Sequence, residues 1–234
     1  MGSPRYTRRR QVEEDPGVNG IFISFEGPEG CGKSTQARRL SDWLNSCGRG
    51  VVRVREPGGT PTGEAIRDIL QHGATGETLG VETEVFLFAA SRSHLVRSVI
   101  LPALEYGKVV VSDRFADSTT AYQGYGSGGD VERILAVNRM AVNGALPDRT
   151  FLLDIDVCRA FERLAERNRR HGATQDRFER EDMAFHERVR QGYLSLARRW
   201  PERFRVIDAD RSPDQVEADI RVDVERLLVS GPNA

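Results

Sequence analysis

The apolar residues of this chain fall in short runs separated by longer amphipathic stretches, and the two alternate. Ile21-Phe22-Ile23-Ser24-Phe25 is a nearly unbroken apolar run, the mark of a strand buried on both faces. A helical pattern follows over 36–44. Val51-Val52-Arg53-Val54 reads as a second short strand, stopped by the turn Pro57-Gly58-Gly59. A helix is expected over 63–71, and a long one over 81–105 that Pro102 bends or ends. Val109-Val110-Val111 predicts a third strand, 131–142 a helix, 150–155 a fourth strand and 158–167 a helix. The pattern closes with a long helix over 181–199, a strand over 204–207 and a helix over 213–229. This alternation predicts an α/β fold, a parallel β-sheet flanked by helices on both faces. Ligands then sit at the carboxyl ends of the strands.

Residues 1–19 break the pattern. Arg8-Arg9-Arg10 is followed by Glu13-Glu14-Asp15-Pro16-Gly17 with no apolar period, so a disordered N-terminal extension is expected there. Residues 20–230 are expected to form a single domain, a size that fits one α/β unit with a small lid. A formal net charge of −1 speaks against a general nucleic-acid binder. No apolar run approaches the roughly 18 residues that cross a membrane, and no signal-like apolar segment stands near the start. Three cysteines without metal-type spacing point to a reducing compartment. The expectation is a cytoplasmic protein without nucleic-acid or membrane partners.

The chemistry concentrates in Gly27-Pro28-Glu29-Gly30-Cys31-Gly32-Lys33-Ser34-Thr35, which fits the phosphate-binding pattern G-x-x-x-x-G-K-[ST] between a strand and a helix. The glycines let backbone N–H groups curl around an anion, and the following helix aims its dipole at the same anion. Lys33 supplies a compact ammonium for the β- and γ-phosphates, and Ser34 a hydroxyl for Mg²⁺. The chain has only two lysines, Lys33 and Lys108, among 34 basic residues. One of them stands where this loop requires it. Cys31 reads as a small filler residue, with a thiol of lowered pKa at the helix N-terminus as the other reading. The third strand ends in Asp113, placed to face the metal shell, and in Arg114, whose guanidinium can fork onto a second phosphate.

Four further segments carry a resemblance. Ser112–Gly124 (SDRFADSTTAYQG) resembles the signature of the thymidylate kinase family. Arg55–Thr60, Phe88–Arg92 and Asp176–Asp182 match that family in the same order, so the likeness spans about 20–228. It implies the P-loop nucleoside-monophosphate-kinase fold and transfer of the γ-phosphate of ATP, with Mg²⁺, to dTMP. By this resemblance Phe88 stacks on thymine and Arg92, one helical turn on, bonds its carbonyl edge. Arg114 and Arg55 hold the acceptor phosphate. Thr119 and Gln123 line the base pocket, Tyr122 packs under the deoxyribose, and Glu29 lies near the 3′-hydroxyl. Some members carry an arginine in the loop where this chain has Gly30, and the pattern then moves the catalytic arginine to a lid. Six arginines crowd into 163–180, and Arg167 and Arg170 are the candidates, in a lid over about 167–180. The resemblance also implies a homodimer, with the 81–105 helix as its face through Val85, Leu95 and Val99. Two rival functions are weaker. A deoxynucleoside kinase would use Glu26 as a base, and a guanine-selective switch would carry an N-K-x-D element that is absent.

Overall fold

A computed structural model describes residues 20–72, 78–172 and 177–230. The expected extension over 1–19, and residues 173–176 within the expected lid, lie outside the described residues. Strand β1 (Ile21–Glu26) is buried along its whole length, as its unbroken apolar run requires. It is flanked in parallel by β3 (Val109–Asp113) and β4 (Arg149–Asp154). The edges are β2 (Val51–Arg55), paired to β3, and β5 (Phe204–Asp208), paired to β4. The order β2-β3-β1-β4-β5 leaves β1 at the centre, with the chain reversing direction across the sheet there. Edge strands mix exposed and buried positions, which is why their apolar runs are shorter in the sequence.

Helices cover both faces. On one, α1 (Lys33–Ser46) and α9 (Pro213–Ser230) bury Leu40, Leu44, Ile220 and Val224 against Ile23, Phe25 and Phe151. Behind the other face lie α2 (Pro61–His72) and α3 (Val81–Leu95). A π-helical turn, Val96–Ile100, then leads into α4 (Leu101–Glu105). Pro102 therefore does not end the segment, which continues to Glu105. It sits in the first turn of α4, where the widened turn before it absorbs the missing amide. After β3 come α5 (Ala116–Thr119), a second π-helical turn over Thr120–Gly126, and α6 (Val131–Val142).

Asp156 caps α7 (Val157–His171) by accepting from the amides of Cys158 and Arg159. Asp182 caps α8 (Met183–Arg199) by accepting from Phe185 N. Two boundaries correct the expectations. α1 begins at Lys33, because the phosphate loop runs straight into it. α7 continues past Arg167 to His171, so Arg169 and Arg170 are helical rather than part of a loop. The expected dimer face is also corrected: Val85 and Leu95 point into the protein, at 4% and 0% exposure, and Val99 packs against the same core.

Candidate active site

The carboxyl ends of β1 and β3 open onto one cavity of about 710 Å³, roofed by α7 and walled by α2, α3 and α5. The loop after β1 runs with positive φ at Gly30 (74°) and Gly32 (102°), a conformation a side chain would strain. Gly30 also lies so close to α7 that a Cβ there would collide with the carbonyl oxygen of Ala160. No side chain fits at that position, and the same contact brings the face of α7 that carries Arg163, Arg167 and Arg170 to the cavity. These three stand at i, i+4 and i+7, one helical stripe.

Lys33, Ser34 and Thr35 line the cavity together with Glu29, Gly30 and Gly32. Lys33 Nζ donates to Gly27 O at 3.0 Å and Pro28 O at 2.7 Å, which holds the ammonium across the loop. Gly27 and Pro28 give these carbonyls but no cavity surface, and Cys31 is sealed beneath. Burial raises the Cys31 thiol pKa against the pull of Lys33 and Arg114, which sets aside the reading of an activated thiol. Ser34 Oγ donates to Asp113 Oδ2 at 2.5 Å. A hydroxyl and a carboxylate in contact at the phosphate loop are hard oxygen donors that suit Mg²⁺, which keeps most of its shell for water and phosphate.

Arg114 is the hub of the acceptor side. Its backbone takes φ 70°, a strained value for a residue with a side chain, and its amide donates to Phe25 O at 3.0 Å. The guanidinium pairs with Glu29 and donates to Tyr122 OH at 3.1 Å and Ser118 Oγ at 3.1 Å. Burial pushes the Glu29 carboxyl up, but Arg114, Lys33 and the Tyr122 hydroxyl together hold it down at about 2. Beneath this hub, Glu26 is fully buried. It accepts from Phe115 N at 2.7 Å, Ser118 Oγ at 2.6 Å and Tyr193 OH at 3.1 Å. Burial and the neighbouring Asp117 raise its carboxyl to about 7. Glu26 thus braces the turn that carries Arg114.

The base end is walled by Phe88, Thr119, Tyr122 and Gln123, all on the cavity. Arg55 also lines the cavity, paired with Glu64 at 2.7 Å. Arg92 is the exception. It is 1% exposed and lies behind the wall, donating to Glu56 (2.8 Å), Asn138 (2.7 Å) and Thr119 Oγ1 (2.8 Å). Its length lets it reach past the wall into a buried acceptor nest, so it supports the pocket instead of lining it. Arg167 and Arg170 do line the cavity. Arg167 donates to Glu179 at 2.9 Å, and Arg170 pairs with Glu166.

Several lining residues go beyond the sequence expectations. Phe178 closes the aromatic wall, its ring 6.1 Å from Phe88 and 6.0 Å from Tyr122. It lies within the Asp176–Asp182 segment, so the signal is present in the sequence. Arg67 and Gln71 follow helical spacing on α2, while Glu56 and Ser118 lie within the Arg55–Thr60 and Ser112–Gly124 segments. Among the described residues no cluster of His, Cys, Asp and Glu could hold a metal alone.

This arrangement has close relatives. The family model for thymidylate kinase matches residues 25–220. The chain belongs to the thymidylate kinase family. Thymidylate kinase from Oleidesulfovibrio alaskensis is 48% identical over 213 residues, covering 90% of this chain and 100% of that protein. Its counterpart from Pelotomaculum thermopropionicum is 49% identical over 211 residues, covering 90% and 95%. The crystal structure of thymidylate kinase from Ehrlichia chaffeensis matches with a TM-score of 0.70 at 32% identity, covering 88% of this chain and 99% of that one. As a thymidylate kinase, the chain is a P-loop nucleoside monophosphate kinase with a five-stranded parallel sheet. Among the described residues no helix is long and apolar enough to cross a membrane.

Proposed function

We infer that the protein phosphorylates dTMP to dTDP with ATP. The observation that carries this is the single cavity in which a phosphate loop and an aromatic, hydrogen-bonding pocket face each other across Arg114. In this reading the β- and γ-phosphates rest on the loop, with Lys33 released from the carbonyls of Gly27 and Pro28 to meet them. Ser34 and Asp113 would hold Mg²⁺, which would supply charge neutralisation on the phosphates. Arg114 and Arg55 bind the acceptor phosphate, and Glu29 then exchanges Arg114 for the sugar hydroxyl. Phe88 and Phe178 enclose the base, with Thr119 and Gln123 at its edge and Tyr122 under the deoxyribose.

The attacking group is a phosphate oxygen, ionised near neutral pH, so no base is needed. Glu26 cannot serve as one, because its oxygens are taken by Phe115, Ser118 and Tyr193 in a buried site. That removes the support for a deoxynucleoside kinase. Residues 167–180 act as a lid, swinging Arg167 or Arg170 from Glu179 and Glu166 onto the transferring group and excluding water.

Pairing into a homodimer fits the outward side of α3, where Phe86 is 61% exposed, and sedimentation tests it. The protein is read as cytoplasmic. The reaction is tested by measuring ADP release from ATP and Mg²⁺ with each nucleoside monophosphate and with thymidine. Turnover is expected with dTMP far above the rest. Equal turnover with thymidine, or ATP consumption without any acceptor, would reject the assignment.

A further inference from the structure

Gln123 is wholly buried yet forms part of the cavity wall. Its Nε2 donates to Glu84 Oε2 at 2.9 Å, while its Oε1 has no hydrogen-bond partner. Glu84 is itself buried, in the first turn of α3, and its other oxygen takes Arg177 at 2.6 Å. A carboxylate paired with a guanidinium only accepts. The Gln123 amide therefore has one orientation, its NH₂ toward Glu84 and its carbonyl oxygen away from it. One helical turn earlier, Thr119 Oγ1 accepts from Arg92 at 2.8 Å. Arginine only donates, so the hydroxyl proton of Thr119 is left for the cavity that this residue lines. Two neighbouring positions on one face thus offer the base a donor, from Thr119, and an acceptor, from Gln123.

We propose that Glu84, from behind the cavity wall, sets the hydrogen-bond polarity of the base pocket by orienting Gln123, and so selects bases that carry a ring N–H beside a carbonyl. This rests on the reading that the pocket holds the base of dTMP. Thymine offers N3–H beside its C4 carbonyl and meets both groups correctly. Cytosine offers a bare N3 beside an amino group, so acceptor would face acceptor and donor would face donor. Buried polar groups left unpaired in this way are the strongest means a pocket has of refusing a near-isostere. Glu84 is a positioning residue, since it acts on the base only through Gln123. The same carboxylate holds Arg177, whose guanidinium lies 4.4 Å over the Phe178 ring, and this joins the polarity of the pocket to its aromatic wall.

The test is Glu84→Gln, with kcat/KM measured for dTMP and dCMP on wild-type protein and variant. Arg177 still demands an acceptor, so the new amide turns its oxygen to Arg177 and its NH₂ to Gln123. The Gln123 amide then flips and presents its own NH₂ to the cavity. The expected result is a fall of roughly 10- to 100-fold for dTMP, mostly in KM, as a buried pair is lost. The dTMP-to-dCMP preference should fall by at least about tenfold. Equal losses on both substrates overturn the proposal. Should the variant fail to give a cooperative melt, wild-type protein with N3-methyl-dTMP decides. It lacks the N3–H, and kcat/KM roughly 100-fold below dTMP is expected. Equal use overturns the proposal. Turnover of dTMP by wild-type protein is the internal control. Its absence sinks the assigned reaction, whereas a working enzyme with an unmoved preference sinks only the role of Glu84.

Discussion

The phosphate end and the base end of this cavity are built in opposite ways. At the phosphate end, nine consecutive residues, Gly27–Thr35, supply the loop, the ammonium and the hydroxyl, and Asp113 from another strand and the arginines of α7 complete it. The base end draws on α3, α5 with its π-helical turn, and the segment around Phe178, none adjacent in sequence. Its polar wall is governed by residues that never reach the cavity, Glu84 and Arg92. A phosphate is a small, highly charged target that local backbone can cradle. A base edge must be told apart from its near-isosteres, which takes fixed donors and acceptors held by a packed interior. The first design tolerates little change at its one lysine. The second spreads its tolerance over several buried pairs.

The largest effect should follow from Lys33→Ala. With the single loop ammonium gone, turnover should drop at least about 10³-fold, in line with other charges that stabilise phosphoryl transfer. The melting temperature should stay within a few degrees, since the substitution removes two hydrogen bonds to loop carbonyls and a longer one to Cys31 Sγ, and Glu29 keeps its pairing with Arg114 when the Lys33 charge is gone. Steady-state kinetics and a thermal melt check both parts. A variant retaining more than a few per cent of wild-type turnover would place the catalytic charge elsewhere and erase the contrast between the two ends.

The same contrast explains what could be read from the sequence. Ile21–Phe25, the glycine loop and Val109–Asp113 are short-range patterns whose physics is complete within a few residues, so sheet and phosphate site were legible. Arg92 reads as a base contact because Phe88 and Arg92 share a helical face. Spacing places side chains on a face but cannot say how far that face sinks. Here Glu56 and Asn138, from distant segments, draw the guanidinium inward. Leu95 and Val85 mislead for the same reason, being apolar residues on a helix with core on more than one side. α7 runs longer than its pattern suggests because its last turn, Asn168–His171, is polar and has no apolar stripe to mark it.

Arg92→Ala probes the buried base-end network and should act first on stability. It leaves Glu56 in the interior without its guanidinium, a change worth about 3–5 kcal/mol. For a chain of this size that corresponds to a drop of about 10 °C in melting temperature. Adding Glu56→Gln should restore a substantial part, because the stranded charge is removed with its partner. KM for dTMP should rise as Thr119 loses its brace, with KM for ATP little changed. A single variant that melts like wild type, or one that weakens both substrates equally, would show that this arginine does not support the base wall.

The smallest effect lies at the junction of the two ends, in Glu26. Its carboxyl is raised from 4.5 to about 7 by burial and by Asp117, against the hydrogen bonds of Ser118 and Phe115 and the charge of Arg114. The sign follows from proton counting. Between these two values the folded state holds a proton that the unfolded chain has released, so stability falls as pH rises through that window and levels off above it. The full span is on the order of 3 kcal/mol. Glu26→Gln keeps an acceptor for Phe115 N and sets an NH₂ against Ser118 Oγ and Tyr193 OH in place of the second carboxyl oxygen, but it cannot titrate, and its contribution is flat. Denaturant melts of both proteins from about pH 5 to about pH 8 should therefore diverge, wild type losing ground to the variant as the pH rises. Other titrating groups cancel in the difference. Parallel curves would mean that Glu26 stays ionised in the folded protein. The turn that holds Arg114 would then rest on a buried charge instead of a protonated acid.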